Sequence, residues 1–152
     1  MSGWYCLAPS IILLVACLAD LRSRKIPNQL ILVGVFLGLV INCIIPIEGR
    51  VIYGVEGFLL GLGLMLVPYV FKMMGAGDVK LFAVMGLFFG SSHIIMVGLH
   101  MMLWGGVLAL YYVVKMKRMK RLDPNYKKMT IPYALAITAG SFSTMYLLDW
   151  NI

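Results

Sequence analysis

Nearly all of the charge in this 152-residue chain falls in short turns between six apolar stretches. They run from about Trp4 to Asp20, Gln29 to Ile45, Val51 to Phe71, Val79 to Phe89, His93 to Val114 and Ile131 to Trp150. Stretches of this kind read as membrane-crossing helices, because a backbone in hydrocarbon must satisfy its own polar groups. Composition agrees: 62% of the residues are apolar and 12% charged, against roughly 45–50% and about 25% in soluble domains. Collagen, intrinsic disorder and a disulfide scaffold are excluded on the same grounds. The expected fold is an all-α bundle of six transmembrane helices, with residues 1–152 forming one domain.

Turn residues mark the boundaries. Ile26-Pro27-Asn28 opens the second stretch, since Pro suits a first helical turn and Asn a cap. Pro46 and Glu48-Gly49-Arg50 close it, and Pro68 predicts a kink near the end of the third. With six crossings, the first, third and fifth loops share a side, and they carry 12 of the 13 Lys and Arg residues; only Arg50 lies opposite. That bias makes their face cytoplasmic and puts both termini outside. The net charge of +7 is thereby explained by topology and anionic lipid rather than by nucleic acid. Cys6, Cys17 and Cys43 are isolated in apolar stretches and read as buried thiols. Leu14-Val15-Ala16-Cys17 resembles a lipoprotein cleavage box, but no Lys or Arg precedes it, so the segment reads as a first helix.

Six acidic residues are present. Glu48, Glu56, Asp123 and Asp149 lie in loops or near helix ends, where solvation accounts for them. Asp20 closes the first helix and Asp78 opens the fourth, both on the cytoplasmic side, so they meet if those helices pack together. The fourth stretch, Val79 to Gly90, covers about 18 Å at 1.5 Å per residue. It is shorter than the roughly 30 Å hydrocarbon core. Either neighbouring helices tilt and the bilayer thins around it, or Gly75-Ala76-Gly77 dips inward as non-helical backbone and places Asp78 below the surface. An ionisable residue there is costly and usually functional.

Paired aspartates suit peptide hydrolysis. One carboxylate takes a proton from water, while the other, protonated, polarises the scissile carbonyl. Two carboxylates in contact share a proton and titrate as a pair. Chain order puts Asp78 at a helix N-terminus and Asp20 at a C-terminus, so the shared proton is expected on Asp20. The plainer alternatives are a helix cap for Asp78 and an i,i+4 pair of Asp20 with Arg24.

Gly75-Ala76-Gly77-Asp78-Val79-Lys80-Leu81 resembles the GxGD motif of the type IV prepilin peptidases. Their first aspartate precedes a basic stretch and an Ile-Pro-Asn, as Asp20 precedes Arg22-Ser23-Arg24-Lys25-Ile26-Pro27-Asn28. Their last helix opens with a Pro-aromatic pair, matched by Pro132-Tyr133. The resemblance implies a multi-pass aspartic endopeptidase of the bacterial inner (plasma) membrane, needing no metal or cofactor. It would cut the basic leader from prepilins at the cytoplasmic face, just ahead of the pilin's apolar helix. Asp20 and Asp78 would be the catalytic pair, Gly75 and Gly77 would shape the loop, and Pro132 and Tyr133 would line or support the site. The cysteine-bearing cytoplasmic domain of the long family members is not matched, so N-methylation is not expected. The size is similar to the short peptidases of Flp/Tad pilus systems; archaeal preflagellin peptidases share the motifs.

The implied partners are a prepilin and membrane lipid. Because leader and loops are both basic, they should repel one another. His93 and His100 share a helix face without acidic neighbours in sequence and read as packing residues. The 12 methionines read as soft filling of a bundle. Gly34-x-x-x-Gly38, with Gly61 and Gly63, suits close helix contact, inside the bundle or between copies in a homo-oligomer. The rival function is a non-catalytic assembly factor or small transporter that uses Asp20 and Asp78 as a buried proton or ion site.

Overall fold

A computed structural model describes residues 6–44, 49–122 and 132–147. Trp4, Pro46, Glu48, Asp123, Lys127, Lys128, Asp149 and Trp150 lie outside the described residues. The described residues form helices α1 (Leu7–Ser23), α2 (Asn28–Ile44), α3 (Arg50–Val70), α4 (Ala76–Leu122) and α5 (Tyr133–Leu147), with no strand among them. Two helices, Arg50–Val70 and Ala76–Arg121, are long and apolar enough to cross a membrane.

Gly90 is the one non-helical residue inside α4, with φ 72° and ψ 176°. The two arms fold back on each other there. Phe82 and Gly98 would be about 24 Å apart along a straight helix, yet the Phe82 ring tip lies 3.4 Å from where a Gly98 Cβ would be. The fourth and fifth apolar stretches are therefore the two arms of one helical hairpin, joined at a single non-helical residue. A residue with a Cβ would be strained at this φ. The ring of Tyr53 also fills the space a side chain there would need.

The first arm is the centre of the bundle: every residue from 81 to 90 is buried. This follows from its composition, which is apolar on all sides. Neighbouring helices reach it through their glycines. Gly34 of α2 faces Val84, Gly38 faces Leu87, and Gly61 of α3 lies over Ala83. Gly57 of α3 and Gly86 of the first arm meet backbone to backbone. The Gly34-x-x-x-Gly38 stripe thus packs inside the bundle, whereas Gly63 has nothing within 4 Å of an added Cβ. Buried Asn42 donates to the carbonyls of Gly38 (2.7 Å) and Leu87 (2.8 Å), and Arg50 Nε donates to its Oδ1 (3.1 Å).

Two boundaries differ from the sequence expectation. The second arm stays helical through Lys115 and Arg121 to Leu122, so five cations assigned to a loop stand on a helical extension. Lys and Arg are good helix formers, and their charges complement the C-terminal end of the dipole. The first arm begins at Ala76 rather than Val79.

Close backbone approach leaves no room for a methyl group at Gly57. Gly57→Ala should lower stability by about 1–3 kcal/mol through overpacking. Gly63→Ala, in open space, should be neutral or stabilising by up to ~1 kcal/mol. Thermal unfolding in detergent distinguishes them, and equal midpoints would contradict this packing.

Candidate active site

The end of the bundle that carries Asp20 and Asp78 is assembled from four chain segments. Asp20 sits in the last turn of α1 and is 8% exposed. The helix stops at Arg24, which adopts a left-handed conformation (φ 54°) and donates its N–H to the Asp20 carbonyl (2.9 Å). Arg24 thus leaves the helical path, and its charge reaches Asp20. Chain reversal then delivers Ile26-Pro27-Asn28 to the start of α2, where the Pro27 carbonyl accepts the N–H groups of Leu30 and Ile31.

This reversal docks on the first turn of α4. Ile26 Cβ lies 3.2 Å from where a Gly77 Cβ would be. Lys80 Nζ donates to Asn28 Oδ1 (3.2 Å). Glycine at position 77 is thus explained by the close approach of Ile26, a pairing invisible in the sequence because 51 residues separate the two positions.

Asp78 caps α4 in a way that differs from the expectation. Gly75, Ala76 and Gly77 do not dip inward as a loop; Ala76 and Gly77 are the first helical residues. The Gly75 carbonyl accepts the N–H groups of Asp78 (3.1 Å) and Val79 (3.3 Å), and the half-buried Asp78 returns Oδ2 to the Gly75 N–H (3.2 Å). This is the acidic half of a capping box. It fixes the carboxylate at the helix N-terminus through one oxygen and leaves the other open to chemistry.

Asp20 is held from the opposite direction. The N–H of Ala134, second residue of α5, donates to Asp20 Oδ2 in a long hydrogen bond of 3.4 Å. Pro132 is fully buried just ahead of this helix, and its carbonyl accepts the Leu135 N–H (3.3 Å). Thr138 pins α5 along α1 through the Leu13 carbonyl (3.4 Å). Asp20 thus faces the positive end of the α5 dipole as well as the negative end of its own helix. This removes the asymmetry that chain order alone suggested for the shared proton.

The charge of Asp20 reaches Asp78. All six residues singled out from the sequence lie at this end of the bundle. Tyr133 sits slightly aside, lining a cavity with several methionines. The sequence reading missed Ala134, whose contribution is a backbone amide. Its one available signal was Pro132, which marks a helix start and hence the direction of the following N–H groups. His93 bonds locally, its Nδ1 3.2 Å from the Phe89 carbonyl, and His100 Nδ1 lies 2.8 Å from Thr144 Oγ1. Among the described residues no three His, Cys, Asp or Glu side chains gather as a metal site would require.

Two carboxylates, each tethered through one oxygen to a helix-terminal amide, thus stand at one end of the bundle. A model of the type IV leader peptidase family matches residues 7–110. The chain belongs to that family. Searches of curated proteins and of solved structures returned no match. The matched residues include Asp20, Asp78 and the glycines before Asp78; they end before Pro132 and Tyr133. Membership makes this a peptidase, and with its apolar helices a membrane protein.

The Ala134 amide can be removed without breaking the helix, since N–H groups of a first turn have no intrahelical partner. Ala134→Pro should reduce leader cleavage by about tenfold or more, as a hydrogen bond to a charged group contributes about 1.5–3 kcal/mol. Because Ala134 is fully buried, the proline ring also adds bulk there, so cleavage is compared at matched levels of folded protein. Wild-type cleavage by this variant would show that the bond has no bearing on the site.

Proposed function

We propose that the chain is an aspartic prepilin peptidase in which Asp20 and Asp78 are the catalytic pair. The observation that carries this reading is their convergence. Two acids 58 residues apart in sequence come within electrostatic reach at one end of the bundle, each anchored by a backbone amide. A scaffold has no need of that expensive arrangement.

In the proposed reaction, water lies between the carboxylates. The ionised aspartate removes its proton as the oxygen attacks the scissile carbonyl carbon, and the protonated aspartate donates a hydrogen bond to the carbonyl oxygen. The C–N bond then breaks, with the proton taken from water passing to the departing amine. Gly75 supplies the N–H that orients Asp78, and Gly77 allows Ile26 to close over the first turn of α4. Pro132 directs the start of α5 at Asp20.

The substrate is a prepilin with a basic leader, and the subfamily is the short Flp/Tad type. The two arms of α4 count as separate crossings, making six spans with both termini outside. Arg22, Arg24 and Lys25 follow Asp20 at the end of α1, and Lys72 and Lys80 flank the start of α4 that carries Asp78, which favours a site on the cytoplasmic face of the inner membrane.

The decisive assay is cleavage in membranes of a prepilin from the same genome, with Asp20→Asn and Asp78→Asn beside wild type at matched protein levels. Each variant should lose about a hundredfold or more, the scale of general acid–base catalysis. Retained cleavage by either removes that aspartate from the mechanism. Loss of a proton flux without any cleavage by wild type would favour the ion-site alternative.

A further inference from the structure

One cavity beside the aspartates takes no part in the hydrolysis described above. It lies between α3 and the second arm of α4, has a volume of about 270 Å³, and is walled by Met65, Met74, Met101, Met102, Gly106 and Tyr133 among others. None of the described residues that line it is charged. Methionine is unbranched and polarisable, so such a wall adapts to apolar groups of differing shape.

The cavity is joined to both acids through the chain. Met74 immediately precedes Gly75, whose N–H holds Asp78, and Tyr133 immediately precedes Ala134, whose N–H holds Asp20. A peptide bond presented to the carboxylates therefore has its neighbouring side chains beside this cavity. Met102 is 64% exposed and Met73, also in the wall, 61% exposed, so the cavity opens at the surface of the bundle. A Lys or Arg side chain would bury an uncompensated charge there, so the basic part of a substrate is turned away.

Glycine makes the space. An added Cβ at Gly106 would meet nothing within 4 Å, and one at Gly105 would lie an ordinary 3.6 Å from Ala136 Cβ. The protein's own packing thus does not require glycine at position 106. We infer that this cavity is the specificity subsite for a large apolar side chain on the membrane-embedded side of the scissile bond. The inference rests on the peptidase reading of Asp20 and Asp78 and adds to it how the substrate is positioned.

The test compares wild type with Gly106→Leu and Gly106→Ala in membranes. The substrates are two versions of a prepilin from the same genome, with Leu or Ala directly on the membrane side of the scissile bond. Both variants should unfold at the wild-type temperature. Gly106→Leu should lower kcat/KM for the Leu substrate about tenfold or more, the scale on which an apolar pocket senses a methylene or two. It should affect the Ala substrate less, with Gly106→Ala falling between. Unchanged cleavage of both substrates overturns the inference, as does an equal loss on both, which assigns the cavity to a lipid tail. Binding of the uncleaved Leu prepilin to the Asp78→Asn protein, with and without Gly106→Leu, decides the matter independently of turnover. Weakened binding supports the subsite and unchanged binding overturns it. Failure of the peptidase reading shows separately, as absence of cleavage by wild type.

Discussion

Backbone-to-backbone contact between Gly57 of α3 and Gly86 of α4 sets the distance at which the rest of the bundle is built. Between helices in lipid, apolar side chains gain little by leaving hydrocarbon for one another. Association depends instead on van der Waals contact and on small residues that allow it. The first arm of α4, buried throughout residues 81–90, is held in this way. It is approached by Gly34 and Gly38 on one flank and by Gly57 and Gly61 on another. Its position fixes the height of Asp78, and the Gly90 reversal fixes the path of the second arm, where the methionine cavity forms.

Polar order is concentrated at the two ends of this central arm. At one end Asn42 ties α2 to the Leu87 carbonyl and to Arg50, while Tyr53 occupies the notch at Gly90 and accepts the Ser92 N–H (3.3 Å). At the other end the first turns of α4 and α5 each aim an amide at a carboxylate. Preorganised backbone donors of this kind add no flexible side chain and bring no counter-charge.

The cationic second arm bears on how a basic leader could approach. Lys115, the first of these cations, lies six residues beyond Ala109, which lines the cavity, or about 9 Å along the helix. The positive charges of the extension therefore stand away from the cavity instead of surrounding it. This softens the repulsion anticipated when the same residues are read as a loop beside the site.

Several features were legible in composition and spacing alone: helical character, the start of α2 at Pro27-Asn28, and Asp20 and Asp78 as the two acids set at helix ends. These are local properties, set by apolar run length, by Pro and Gly, and by the energy of placing charge in lipid. The extent of the helices was less legible, because the helix-forming Lys and Arg of residues 115–121 look like a polar loop when only hydropathy is read. Gly75-Ala76-Gly77 likewise suggested a loop, since glycine tolerates both states and only the returning Asp78 side chain closes the helical turn. Tertiary structure alone decided the Ile26–Gly77 contact, the burial of Gly34 and Gly38 within the bundle, the fold-back at Gly90 and the Ala134 amide on Asp20. Each depends on segments distant in sequence meeting at close range, and on backbone atoms that every residue possesses, so no residue type announces them.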